Sequence, residues 1–148
     1  MLEIKQIQSS ETWEIRHRVM WANKPFDDIK LPNDDNGLHF GLFRDNVLLS
    51  VVSLFIEDNV AQFRKFATEN IEQGKGYGAK LLSHLIQECI DKNIKTLWCN
   101  ARTSSVGFYE KFGFEIVSDA WIKDGIEYIK MSYDLRLNGL QFTNTQTG

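Results

Sequence analysis

Gln73-Gly74-Lys75-Gly76-Tyr77-Gly78-Ala79 places three alternate glycines at the entrance to a run with helical spacing, Leu81, Leu82, Leu85, Ile86, Cys89 and Ile90. The first turn of a helix leaves four backbone N–H groups without partners, and its aligned peptide dipoles favour negative charge. Glycines there let an anion approach those amides, because no Cβ stands in the way. Glycine inside a helix costs about 1 kcal/mol against alanine. The stretch therefore reads as a phosphate cradle or as a flexible turn, and phosphate chemistry is the functional alternative.

The elements that would position such a loop follow from the periodicity. The net charge of −3 does not call for a nucleic-acid partner. The 148 residues, 43% apolar and 25% charged, fit one soluble domain. The domain is expected over residues 1–137, with a polar tail over 138–148. Cys89 and Cys99 sit in apolar patterns without metal spacing, which implies reduced core thiols, no metal site and a cytoplasmic protein. No apolar run is long enough for a membrane span. Strands are expected at residues 2–8, 38–43, 47–56, 60–68, 95–100, 114–119 and 127–135. Helices are expected after Ser9 or Ser10, with Trp13, Ile15 and Val19 inward, and at 76–92 and 104–112. Arg16, His17 and Arg18 read as a solvated helix face. Residues 21–36, with Pro25, Pro32 and four aspartates, read as a long loop or irregular helix whose acids and aromatics either wall a pocket or are simply solvated. The fold class is α/β (α+β), a mixed, mostly antiparallel sheet of about seven strands flanked by helices, with one parallel pair around the central helix.

Two nucleotide motifs fail on context. Gly74, Gly76 and Ala79 satisfy Gly-x-Gly-x-x-Ala, but after four strands and without the ribose-binding acid of a dinucleotide fold. No Gly-Lys-Ser/Thr follows at the distance a triphosphate loop requires. Gln73, Gly76 and Gly78 do match Gln-x-x-Gly-x-Gly, and Phe108-Tyr109 with Gly113-Phe114 match Phe-Tyr-x-x-x-Gly-Phe downstream. Together they resemble the coenzyme A loop and the tyrosine segment of the GNAT family of N-acetyltransferases, and the order of elements fits that family over residues 2–135. Ile15 to Val19 before Pro25, and Asn100-Ala101-Arg102 before Tyr109, are similar to a bacterial branch of uncharacterised members.

The resemblance implies an acetyl-CoA-dependent transferase acting on a primary amine of a small molecule or peptide. Its coenzyme contacts would be Gln73, Gly74, Lys75, Gly76, Tyr77, Gly78 and Ala79 at the diphosphate, and Phe66, Ala67 and Thr68 along the pantetheine arm. A bulge near Phe66 would turn a backbone N–H toward the thioester oxygen. Phe108 belongs to the same segment as Tyr109, the expected donor to the leaving sulfur. Many family members have Asn where this chain has Arg102, so Asn100 and Arg102 both stand as coenzyme contacts. The general base stays open among Glu57, Glu72, His17, His39 and a water chain. The acids of the 21–36 loop suit a cationic amine, whereas Arg16 and His17 suit a carboxylate. A homodimer through the last strands is an expectation, and a coenzyme-binding sensor without turnover is the alternative function.

Overall fold

The computed structural model describes residues 1–136, so the tail expected over 138–148 lies outside the described residues. Among the described residues, eight strands form a mixed, mostly antiparallel open sheet with flanking helices. The chain divides into two compact units, residues 1–55 with 63–88, and residues 56–62 with the chain from 89 onward.

The first unit begins with β1, Leu2–Ile7, and α1, Ser9–Ile15. Ser9 and Ser10 were the expected caps, but both lie inside the helix. Glu11, at the third position, accepts a hydrogen bond from the Gln8 backbone N–H at 2.8 Å, which makes Gln8 the capping residue. A π-helical turn, Arg16–Met20, widens the helix end, and two 3₁₀ turns, Phe26–Ile29 and Asp34–Asn36, organise the proline-containing segment. β2, Leu38–Arg44, pairs antiparallel with β1 and with β3, Val47–Glu57. Asp45 and Asn46 both take left-handed φ, 51° and 69°, as a two-residue hairpin turn demands.

β4, Val60–Thr68, carries the feature that governs the site: Lys65 is left-handed at φ 56°, which shifts the alternation of side chains. The Phe63 ring meets Phe66 edge-on at 6.1 Å on one face. Ala67 packs with Ile15 and Val51 on the other. α2, Tyr77–Asp91, then follows. Leu81, Leu82 and Leu85 are wholly buried, each worth about 1.5–3 kcal/mol relative to exposure. That apolar stripe fixes the helix, and with it the direction in which its first amides point.

In the second unit β5, Thr96–Arg102, runs parallel to the start of β4 over three pairs, from Val60/Thr96 to Gln62/Trp98. β5 is antiparallel to β8, Ile126–Asp134, from Thr96/Asp134 to Arg102/Tyr128. A 3₁₀ turn, Thr103–Ser105, leads into the short α3, Val106–Glu110, in place of the longer helix expected over 104–112. β6, Glu115–Ile116, and β7, Trp121–Lys123, both pair with β8. β7 exceeds the expected seven strands; its three exposed residues carry no burial alternation, and Trp121 stacks on Tyr128 at 6.1 Å. Leu97, Cys99, Ala101, Tyr109, Phe114, Met131 and Leu135 are buried. No helix among the described residues is long and apolar enough to cross a membrane.

Candidate active site

The first unit brings the glycine loop and the end of β4 together. Gly74 and Gly76 have φ of 83° and 85°, and a Cβ on either would meet nothing within 4 Å. Backbone conformation, not space, therefore demands glycine at both, and the helix entrance stays open. Gly78 differs: a Cβ there would lie 3.3 Å from the Phe66 ring and 3.7 Å from Thr68 Oγ1, so its absence lets α2 approach β4 closely. The Gln73 amide donates to the Thr68 carbonyl at 3.1 Å and to Asn70 Oδ1 at 3.2 Å, tying the loop to the strand. The Thr68 hydroxyl donates to Ser50 Oγ at 2.8 Å, since Ser50 itself donates to the Ala67 carbonyl. Ala67 is buried.

A charged cluster that sequence reasoning missed supports this loop. Arg44 grips the buried Glu72 carboxylate through both terminal nitrogens, at 2.8 and 2.9 Å, and donates to the Tyr77 hydroxyl at 3.2 Å. Lys75 reaches Glu72 at 3.0 Å. Arg44, then Lys75, hold the Glu72 carboxyl below the usual range, so Glu72 is unsuited to act as a base and anchors the loop instead. Two cations against one anion leave the cluster net positive. The Glu72/Lys75 spacing of three was the only local signal for it.

The second unit carries the rest. Asn100 and Arg102 are exposed on one face of β5, opposite the buried Cys99 and Ala101. The phenylalanine-tyrosine segment is built by a helix stop. Gly113, at φ 105°, donates its N–H to the Glu110 carbonyl, and the Phe114 N–H returns to the Tyr109 carbonyl at 3.3 Å. Buried Phe114 then meets Tyr109 and Tyr133 edge-on at 5.8 and 5.1 Å, while Phe108 meets Tyr109 at 5.2 Å. Burial, with a smaller contribution from Cys99, raises the Tyr109 phenol above its ordinary pKa. Tyr109 is thus held neutral as a hydrogen-bond donor. Burial pushes the Cys99 thiol to about 12, leaving it unreactive.

The other acid–base candidates separate clearly. Glu57 is exposed. His17 Nε2 donates to the Lys24 carbonyl at 2.7 Å. Arg16, expected on a solvated face, is wholly buried: its terminal nitrogens meet the two Asp34 oxygens at 2.9 and 3.0 Å, and one donates to Ser53 Oγ at 2.8 Å. Ser53 Oγ, which accepts from Arg16, also lies 2.7 Å from His39 Nδ1, while His39 Nε2–H donates to the Asp34 carbonyl at 2.8 Å. His39 is thereby tied into a closed structural ring. Asp34 is likewise internal and paired with Arg16; Asp27, Asp28 and Asp35 are exposed. Among the described residues, no group of three or more His, Cys, Asp or Glu could hold a metal ion.

The chain has relatives among known proteins. Residues 23–135 match the family described as acetyltransferase (GNAT) domain. The chain is 30% identical over 146 residues to the uncharacterized N-acetyltransferase YitI of Bacillus subtilis, covering 92% of this chain and 98% of that one. It is 31% identical over 116 residues to the [ribosomal protein bS18]-alanine N-acetyltransferase of Salmonella typhimurium, covering 69% and 71%. A crystal structure of a GNAT family acetyltransferase from Elizabethkingia anophelis with acetyl-CoA bound has the same fold, with TM-score 0.71, 17% identity and 90% and 97% coverage.

Proposed function

We propose, from the premise that the chain belongs to the GNAT family of acetyltransferases, that it transfers the acetyl group of acetyl-CoA to a primary amine by direct attack in a ternary complex. The observation that carries the reading is the pair of left-handed glycines in open space at the entrance to a 15-residue helix. Binding of the coenzyme's diphosphate at that entrance is supported by the first-turn amides a helix leaves without partners, by the open space around Gly74 and Gly76, and by the positive charge of the Arg44/Lys75/Glu72 cluster. Gln73 holds the loop in shape, and Gly74 to Ala79 supply the contacts.

Bound acetyl-CoA supplies an activated thioester. The residues then divide the work. Backbone groups of Phe66, Ala67 and Thr68 pair with the pantetheine arm in the manner of an added strand. The left-handed Lys65 supports this, because a bulge re-aims the neighbouring amides, and one amide directed at the carbonyl oxygen is worth about 3–4 kcal/mol of barrier. A neutral amine attacks the carbonyl carbon, the C–S bond breaks, the proton lost from nitrogen passes to solvent, and solvent returns one to the departing sulfur through Tyr109, so that coenzyme A leaves as the thiol and the phenol stays neutral. Tyr109 hydrogen-bonds the departing sulfur. Its raised pKa suits it to donation without full ionisation. Asn100, Arg102 and Phe108 contribute further coenzyme contacts.

Calorimetric titration with acetyl-CoA and with free coenzyme A, followed by thiol release over an amine panel, tests the reading. Saturable binding and amine-dependent thiol release are expected. No saturation at millimolar coenzyme would refute it, and binding with no release for any amine would leave only the sensor function.

A further inference from the structure

Arg64 lies in β4 directly before the left-handed Lys65 and is half-buried. Unlike Arg16 and Arg44, which each hold a carboxylate with both terminal nitrogens, Arg64 has no hydrogen bond, ion pair or ring contact with any described residue. The charged groups bearing on it are Arg16 and Asp34. Asp34 cannot serve as its partner: Oδ1 receives Arg16, and Oδ2 receives Arg16, the Trp13 indole and the Leu31 N–H. Burial and Arg16 disfavour the Arg64 charge and Asp34 offsets them only in part, yet a guanidinium stays protonated at neutral pH. The result is a partly desolvated cation without a hydrogen-bonded anion among the described residues.

The anion it lacks is not the coenzyme's diphosphate. The bulge puts Arg64 beside Arg16 and Asp34, on the Ala67 face of β4, whereas Phe66 and Gly78 bring α2 and its glycine loop to the other face. Four residues of strand, about 13 Å, also separate Arg64 from Thr68. Its strand neighbour Lys65 reaches Trp21, with Nζ 3.8 Å over the ring, on the segment whose acids were expected to select a cationic amine. The one buried acid of that segment, Asp34, is neutralised by Arg16.

We infer that Arg64 binds a carboxylate of the acceptor, so that the acetylated amine belongs to a free amino acid or short peptide rather than to a polyamine. The inference rests on the acetyltransferase reading, because it assigns the acceptor of that reaction. A guanidinium fork and a carboxylate make two parallel hydrogen bonds, and removal of one member of such a pair is felt mainly in acceptor KM.

The test compares purified wild-type protein with Arg64→Gln and Arg64→Lys. Acetyl-CoA-dependent thiol release is measured over α-, β- and γ-amino acids, dipeptides, the carboxamide of each, and spermidine. Wild-type kcat/KM is expected to favour carboxylates over their carboxamides by at least about tenfold, a charge-assisted hydrogen bond's worth. Arg64→Gln brings that ratio near unity through KM, Arg64→Lys restores part of it, and acetyl-CoA affinity stays within about twofold. The folded state of Arg64→Gln is checked by its melting temperature, expected to be equal or higher because an uncompensated charge has gone. A wild-type preference for carboxamides or spermidine overturns the inference. So does a preference that survives Arg64→Gln, or acetyl-CoA binding with no carboxylate-bearing amine acetylated. Failure to bind acetyl-CoA would instead remove the acetyltransferase reading itself, and the inference with it.

Discussion

Replacing Asp34 with Asn isolates the ion pair that the sequence hid. The Arg16 guanidinium is wholly buried, and its Nε already lacks a hydrogen-bond partner, so the two contacts to Asp34 at 2.9 and 3.0 Å are its charge compensation. Breaking a buried pair from one side costs about 3–5 kcal/mol. Asn keeps one acceptor oxygen for Leu31 or Trp13, which favours the lower end. For a chain of 148 residues, at about 2–4 °C per kcal/mol, a 3 kcal/mol loss lowers Tm by roughly 6–12 °C. The pH dependence adds a second check. Burial alone would raise the Asp34 carboxyl pKa, but the Arg16 hydrogen bonds, with the Leu31 N–H, outweigh it and hold the group below its ordinary value. A depressed folded pKa gives stability that is fully present above the unfolded value of about 3.9 and is lost as pH falls through the folded one. Urea and thermal unfolding at pH 7, 5 and 3 should show the wild-type advantage intact at pH 7 and 5 and narrowing at pH 3. A loss under about 1 kcal/mol at pH 7, or a gap independent of pH, would refute the compensation argument.

Three further substitutions test the site. Gly76→Val places a β-branched residue at φ 85° in open space, so it should cost about 1–2 kcal/mol of stability and weaken acetyl-CoA binding at least tenfold by calorimetry. Tyr109→Phe should lower kcat by about 10²-fold, the low end for proton-transfer assistance, with coenzyme affinity nearly unchanged; an unchanged rate removes Tyr109 from the reaction. Gly113→Ala strains the helix stop at φ 105° that seats Phe114 beneath Tyr109, and should lower stability by about 1–2 kcal/mol in thermal melts.

The sequence exposed elements whose information is local. The α2 stripe, the glycine entrance and the tyrosine segment each sit within a few turns of chain, and periodicity or a short motif reveals them. Arg16 could not be read in that way, because its burial depends on Asp34, eighteen residues away, and on Ser53, thirty-seven away. A cation flanked by His17 and Arg18 looks solvated until its partner is known. β7 escaped because three exposed residues show no alternation, and its pairing with β8 comes from a tight turn through left-handed Asp124 and Gly125. The Glu72 anchor escaped for the same reason as Arg16: Arg44 reaches it from a strand twenty-eight residues earlier.

The left-handed residue in β4 acts as a phase inverter for everything downstream of it. Were Lys65 to take ordinary strand φ, the rest of β4 would turn over, sending the Phe66 ring toward the Ile15 and Val51 packing while a methyl group replaced it against Gly78. Excision of Lys65 would instead leave Phe63 and Phe66 on one face and Ala67 on the other, in plain alternation. Backbone conformation, rather than length, is what this position cannot surrender.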